Sequence, residues 1–126
     1  MKKILLVDDL GVDVMLTRMA LDRYHPPYKV TVARDGEEAY GMLKETDFDL
    51  LLLDIKMPLV DGFELLERLH ADGGTPVPAI IVSGSGLASD RARALALGAV
   101  DYIQKAVDYS VFKEELKAAL DRNGLM

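Results

Sequence analysis

Short apolar runs alternating with helical patterns constrain this chain more than any other feature. The Ile-Leu-Leu-Val run at 4–7 and the four leucines of Leu50–Leu53 are continuously apolar. A strand reads this way when helices cover both faces of its sheet. Residues 29–33, 79–82 and 100–103 read as three further strands. After the first run, Val12, Met15, Leu16, Met19 and Ala20 recur at the spacing of one helix face. His25-Pro26-Pro27 stops that helix, because proline lacks an N–H and restricts the residue before it. Gly36–Glu45 is expected as a second helix, and Gly62–Ala71 as a third with Phe63, Leu66 and Leu69 inward, closing at Asp72-Gly73-Gly74. Residues 89–97 form a short fourth helix stopped by Gly98, and Tyr109–Arg122 a fifth with Phe112, Leu116, Ala119 and Leu120 on one face.

Five strand–helix units indicate an α/β domain with a parallel sheet. At 126 residues the chain is too short for an eight-stranded barrel, so an open doubly wound sheet remains, and one domain spanning 1–126 is expected. In such sheets ligands sit beyond the carboxyl ends of the strands.

Composition narrows the chemistry. There is no cysteine, which removes disulfides and thiolate chemistry together. The net charge of −6, with Lys2-Lys3, Arg91 and Arg93 scattered, argues against nucleic acid as a partner. Leu50–Leu53 is far too short to span a membrane, and Asp8-Asp9 interrupts the apolar start too early for a signal peptide. The expected location is the cytoplasm, with no membrane partner.

The strand ends carry Asp8-Asp9, Asp54, Ser83 and Lys105. Singly, each has an ordinary explanation: a helix cap, a turn opener, a hydroxyl bonded to backbone, a solvated lysine. Together they bring three carboxylates to one edge of an otherwise apolar sheet. Three such groups repel, so at neutral pH they call for a cation or a raised pKa. Oxygen donors without His or Cys suit Mg²⁺. A metal and a lysine beside a carboxylate are what a transferring phosphoryl group needs, and one carboxylate can act as nucleophile. His25 and His70 have no partners that suggest metal binding or phosphohistidine chemistry.

With these residues in order, the sequence resembles the receiver domain of two-component response regulators, over nearly its whole length. The matching blocks are residues 4–9 (Ile-Leu-Leu-Val-Asp-Asp), residues 54–62 from Asp54 to Gly62, Ile81-Val82-Ser83, and residues 98–105 from Gly98 to Lys105. The resemblance implies a flavodoxin-like five-stranded sheet in the order 2-1-3-4-5 with five helices. It implies that Asp54 accepts a phosphoryl group from a histidine kinase or phosphotransfer protein. Asp9, Asp54 and the main-chain carbonyl of Lys56 would hold Mg²⁺, with Asp8 acting through a metal-bound water. Lys105 would contact phosphoryl oxygens and pair with Asp54 when unphosphorylated, Ser83 would be the hydroxyl switch and Tyr102 the aromatic switch. Switching would repack the surface of the fourth helix, fifth strand and fifth helix, where a downstream partner or a second copy binds.

Lys105 is followed by Ala106 where the family usually has proline. A cis bond before alanine costs about 3–4 kcal/mol; either tertiary contacts hold that strain or the loop runs trans and Lys105 approaches differently, and in both cases Lys105 is expected to reach the site. Some phytochrome-linked single-domain receivers also lack this proline, and residues 12–18 are similar to theirs. Lys56 and Ser85 border the route of an attacking water and are expected to tune phosphoryl lifetime.

Two other readings compete. A Mg²⁺-dependent aspartate phosphatase needs an acid/base carboxylate two residues past its nucleophile, where this chain has Lys56. A flavodoxin-like cofactor carrier needs a phosphate-binding loop after the first strand, where Asp8-Asp9 would repel phosphate. A stand-alone switch, with self-phosphotransfer but no independent substrate and no output domain, is the expectation.

Overall fold

The structure, a computed structural model, describes residues 2–9, 11–23, 28–55, 61–73, 77–84, 86–105 and 108–125. Strands and helices alternate throughout: β1 (Lys2–Val7), α1 (Gly11–Leu21), β2 (Tyr28–Ala33), α2 (Gly36–Glu45), β3 (Leu50–Leu53), α3 (Gly62–Ala71), β4 (Ala79–Ser83), α4 (Ala88–Ala96), β5 (Asp101–Gln104) and α5 (Tyr109–Arg122). All neighbouring strands pair in parallel, in the order β2-β1-β3-β4-β5. The expected doubly wound sheet is the one observed.

Because strand side chains alternate, each continuous apolar run feeds two cores. Leu5, Val7, Leu51 and Leu53 join Phe63, Leu66 and Leu69 of α3 on one face of the sheet. Ile4, Leu6, Leu50 and Leu52 join Leu21 of α1 and Phe112, Leu116 and Leu120 of α5 on the other. Leu52 is fully buried in the second core. Leu52→Ala should therefore lower unfolding free energy by about 2–5 kcal/mol. Urea unfolding checks this; a loss below about 1 kcal/mol would mean the strand is not packed on both sides.

Helix α1 corrects one expectation. Its inward residues are Val14, Thr17, Ala20 and Leu21, whereas Val12, Met15 and Met19 are 65%, 55% and 43% exposed. The buried face begins with Asp13 and runs through Thr17 to Ala20, at i, i+4 and i+7. Two of those three residues are polar, so a search for the most apolar stripe settles on the wrong side. What turns Asp13 inward is an ion pair described below.

Strand β5 also begins one residue later than expected. Gly98, at φ 107°, reverses the chain after α4, and the Val100 N–H donates to the Ala79 carbonyl at 2.8 Å while its side chain stays exposed. Asp101 opens the strand with a buried carboxylate. Arg122 Nε (3.0 Å) and Asn123 Nδ2 (3.1 Å) donate to it, clamping the end of α5 to β5. Among the described residues, no helix is long and apolar enough to cross a membrane.

Candidate functional site

Parallel register delivers the polar residues to one edge. Val7 pairs with Leu53 at the ends of β1 and β3. The next N–H groups extend the ladder: Asp54 donates to Val7 at 2.9 Å, and Asp8 donates to Ala33 at 3.1 Å. The Lys105 N–H donates to the Ser83 carbonyl at 2.6 Å. Backbone hydrogen bonds thus fix where each functional side chain leaves the sheet. Asp8, Asp54 and Ser83 are all buried there.

Lys105 lies among carboxylates. Its Nζ is 3.0 Å from Asp8 Oδ2, 2.8 Å from Asp13 Oδ2 and 3.4 Å from Asp54 Oδ2. Burial pulls the Lys105 ammonium down, but its hydrogen bond to Asp13 and the charges of Asp54 and Asp8 outweigh that, so its pKa rises and it stays charged. For Asp54, burial dominates: the carboxyl is pushed up to about 6, Lys105 opposing the rise and Asp8 adding to it.

Asp8, Asp9 and Asp54 each offer an oxygen, and these oxygens all lie within 4.8 Å of one another. An octahedral ion with ligands at about 2.1 Å needs donors about 3 to 4.2 Å apart, so small side-chain movements suffice to hold one. Three carboxylates, those of Asp8, Asp13 and Asp54, face one ammonium, and Asp9 adds a fourth carboxylate to the cluster. The donor set is oxygen only, and it fits a hard divalent cation.

Helix α3 braces the backbone of Asp54. Asp61 caps it by accepting the Glu64 N–H at 2.9 Å. The next residue's N–H, that of Gly62, donates to the Ile55 carbonyl at 2.7 Å. A Cβ at Gly62 would collide with the Asp54 carbonyl oxygen and lie 2.8 Å from Ile55 Cα. Glycine is needed here for close approach, not for an unusual φ.

The structure brings together Asp8, Asp9, Asp54 and Lys105, with Ser83 at the adjoining end of β4. Tyr102 sits in β5 opposite Ile81, its ring buried in the core that includes Ala94 and Ala99. Lys56, Ser85 and Ala106 lie outside the described residues. Asp13 was not singled out as a site residue. The available signal was a carboxylate five residues past Asp8, on a helix whose first turn points at the strand ends.

Comparison with known proteins agrees with this edge. A family model described as the response regulator receiver domain matches residues 4–119. The chain belongs to that family. The response regulator GtcR of Aneurinibacillus migulanus is 38% identical over 82% of this chain and 41% of its own length. The transcriptional regulatory protein CpxR of Escherichia coli K12 is 39% identical over 98% of this chain and 51% of its own. The receiver thus spans about half or less of these curated relatives. Among solved structures, the phosphorylated cyanobacterial phytochrome response regulator RcpA superposes with a TM-score of 0.86 at 30% identity, covering 95% of this chain and 91% of that one. A CheY-like receiver domain protein of Methanospirillum hungatei JF-1 gives 0.78 at 32% identity, over 98% and 97%.

Proposed function

We propose that this receiver is a cytoplasmic phosphorylation switch whose phosphoacceptor is Asp54. The observation that carries the reading is the setting of that carboxylate: at the carboxyl end of β3, 3.4 Å from the Lys105 ammonium and within 4.8 Å of the Asp8 and Asp9 oxygens. An Asp54 oxygen attacks phosphorus while the phosphorus–nitrogen bond of a donor phosphohistidine breaks, its electron pair returning to the imidazole. Water attack on the aspartyl phosphate later releases inorganic phosphate and restores the carboxylate.

Asp9, Asp54 and the Lys56 carbonyl would hold Mg²⁺ directly and Asp8 through a water. The ion supplies positive charge to the phosphoryl oxygens. Lys105 neutralises phosphoryl charge from the other side, Ser83 donates a hydrogen bond to a phosphoryl oxygen, and Tyr102 repacks behind it. The chain turns over no independent substrate.

A phosphohistidine donor is held by a histidine kinase or a phosphotransfer protein, which must dock beside Asp54. The exposed Val12, Met15 and Met19 of α1 lie on the helix that follows Asp8 and Asp9, an apolar surface beside the acceptor. Leu95 of α4 and Val111 of α5 are also 42% and 48% exposed. The α4-β5-α5 face therefore suits a downstream protein or a second copy. Similarity to RcpA, whose phosphorylated form is known, supports the switch.

Incubation with acetyl phosphate and Mg²⁺ should add one phosphoryl group by intact mass, and EDTA should prevent it. A protein that shows no gain while binding Mg²⁺ would overturn the switch and leave a phosphorylation-independent binding module.

A further inference from the structure

The Lys105 ammonium has three N–H donors and three carboxylate neighbours, but it does not treat them alike. Asp13 Oδ2 at 2.8 Å and Asp8 Oδ2 at 3.0 Å accept hydrogen bonds from it, whereas Asp54 Oδ2 at 3.4 Å stands outside the usual range for a charge-assisted bond. The shortest bond therefore goes to a residue of α1 that is on no strand end and in no cation cluster. Nor can Asp13 simply follow the lysine elsewhere, because Thr17, Ala20 and Leu21 are buried and fix the rotation of α1 against the sheet.

A phosphoryl group on Asp54 adds about −1.5 to −2 charges and three strong acceptor oxygens. Lys105 must turn toward those oxygens to neutralise them, and the Asp13 carboxylate pulls the other way. We propose that Asp13 is a positioning residue that holds Lys105 in the unphosphorylated protein and competes with the phosphoryl group for it. The inference rests on the receiver reading of the site given above. A carboxylate in the first turn of α1 also complements the helix dipole. That role would affect stability alone and leave phosphoryl binding unchanged.

The test uses beryllofluoride, a non-covalent phosphoryl analogue, at saturating Mg²⁺, with dissociation constants from ¹⁹F NMR. Asp13→Asn should bind it about five- to tenfold more tightly than the wild type, as expected when one charged competitor for a hydrogen-bond donor is removed. Asp13→Ala should shift affinity in the same direction. In a Lys105→Gln background the effect of Asp13→Asn should shrink below about twofold, because the competition acts through the ammonium. Unchanged or weaker binding by both Asp13 variants would overturn the proposal and leave Asp13 a dipole or tethering residue. So would equal tightening with and without Lys105, which would reduce Asp13 to a general repulsive charge. A wild type that takes up no beryllofluoride would overturn the phosphorylation-switch reading of the site, and this inference with it.

Discussion

Asp54→Asn should make the metal-free protein more stable at pH 7, by about 2–3 kcal/mol, while abolishing phosphoryl acceptance. A carboxyl raised from 3.8 to about 6 binds its proton more tightly in the folded than in the unfolded chain. Its contribution to stability is therefore fully present below pH 3.8 and is lost as pH rises through about 6. Above that, the folded protein holds an ionised, buried carboxylate beside Asp8, against which Lys105 is only partial compensation. The amide of asparagine keeps the shape and removes the charge. In chelator-treated samples, the stability difference between variant and wild type should be near zero at pH 3.8 and grow until about pH 6. Urea unfolding across that range measures it. A wild type more stable than Asp54→Asn at pH 7 without metal would show that Lys105 fully compensates the buried charge. Added Mg²⁺ should reverse the order, because the cation binds the carboxylate cluster and stabilises the folded wild type by mass action.

Gly62→Ala should be strongly destabilising. The added carbon would strike the Asp54 carbonyl oxygen and come within 2.8 Å of Ile55 Cα, and both are backbone atoms. Neither can rotate aside, so relief requires moving the start of α3 or the peptide that carries Asp54. A loss of about 2–4 kcal/mol follows from overpacking against backbone. Phosphorylation of the fraction that remains folded should slow as well, because the peptide most strained is that of the nucleophile. Gly41→Ala is the control. It lies within α2 with nothing near its added carbon, and should stabilise by about 0.5–1 kcal/mol. Thermal unfolding of the two variants separates these cases; a Gly62→Ala protein as stable as Gly41→Ala would mean that α3 does not brace Asp54.

The fold was legible because its signals are redundant. Leu50–Leu53 can be buried on both faces only in a covered parallel sheet, and Gly98 stops α4 where the pattern places the stop. Asp8, Asp9, Asp54 and Lys105 were legible as a site because parallel register carries every strand's carboxyl end to one edge. Helix α1 was misread where function overrides patterning. Asp13 and Thr17 spend polar residues on the inward face, one of them to bond Lys105, and leave Val12, Met15 and Met19 outside. A hydrophobic periodicity cannot register an ion pair formed with a residue 92 positions away. Strand β5 opens on Asp101, whose buried carboxylate accepts from the Tyr102 N–H, Arg122 and Asn123, three partners that a reading of local pattern does not supply.

Borohydride trapping locates the phosphoryl group, which is expected to reside on Asp54. An aspartyl phosphate is an acyl phosphate and is reduced to homoserine, so peptide mass mapping after acetyl phosphate, Mg²⁺ and borohydride reads out the modified position. Homoserine at position 54 alone is the expected result. Homoserine at Asp8, Asp9 or Asp13, or at no position in a sample whose intact mass had risen, would contradict it.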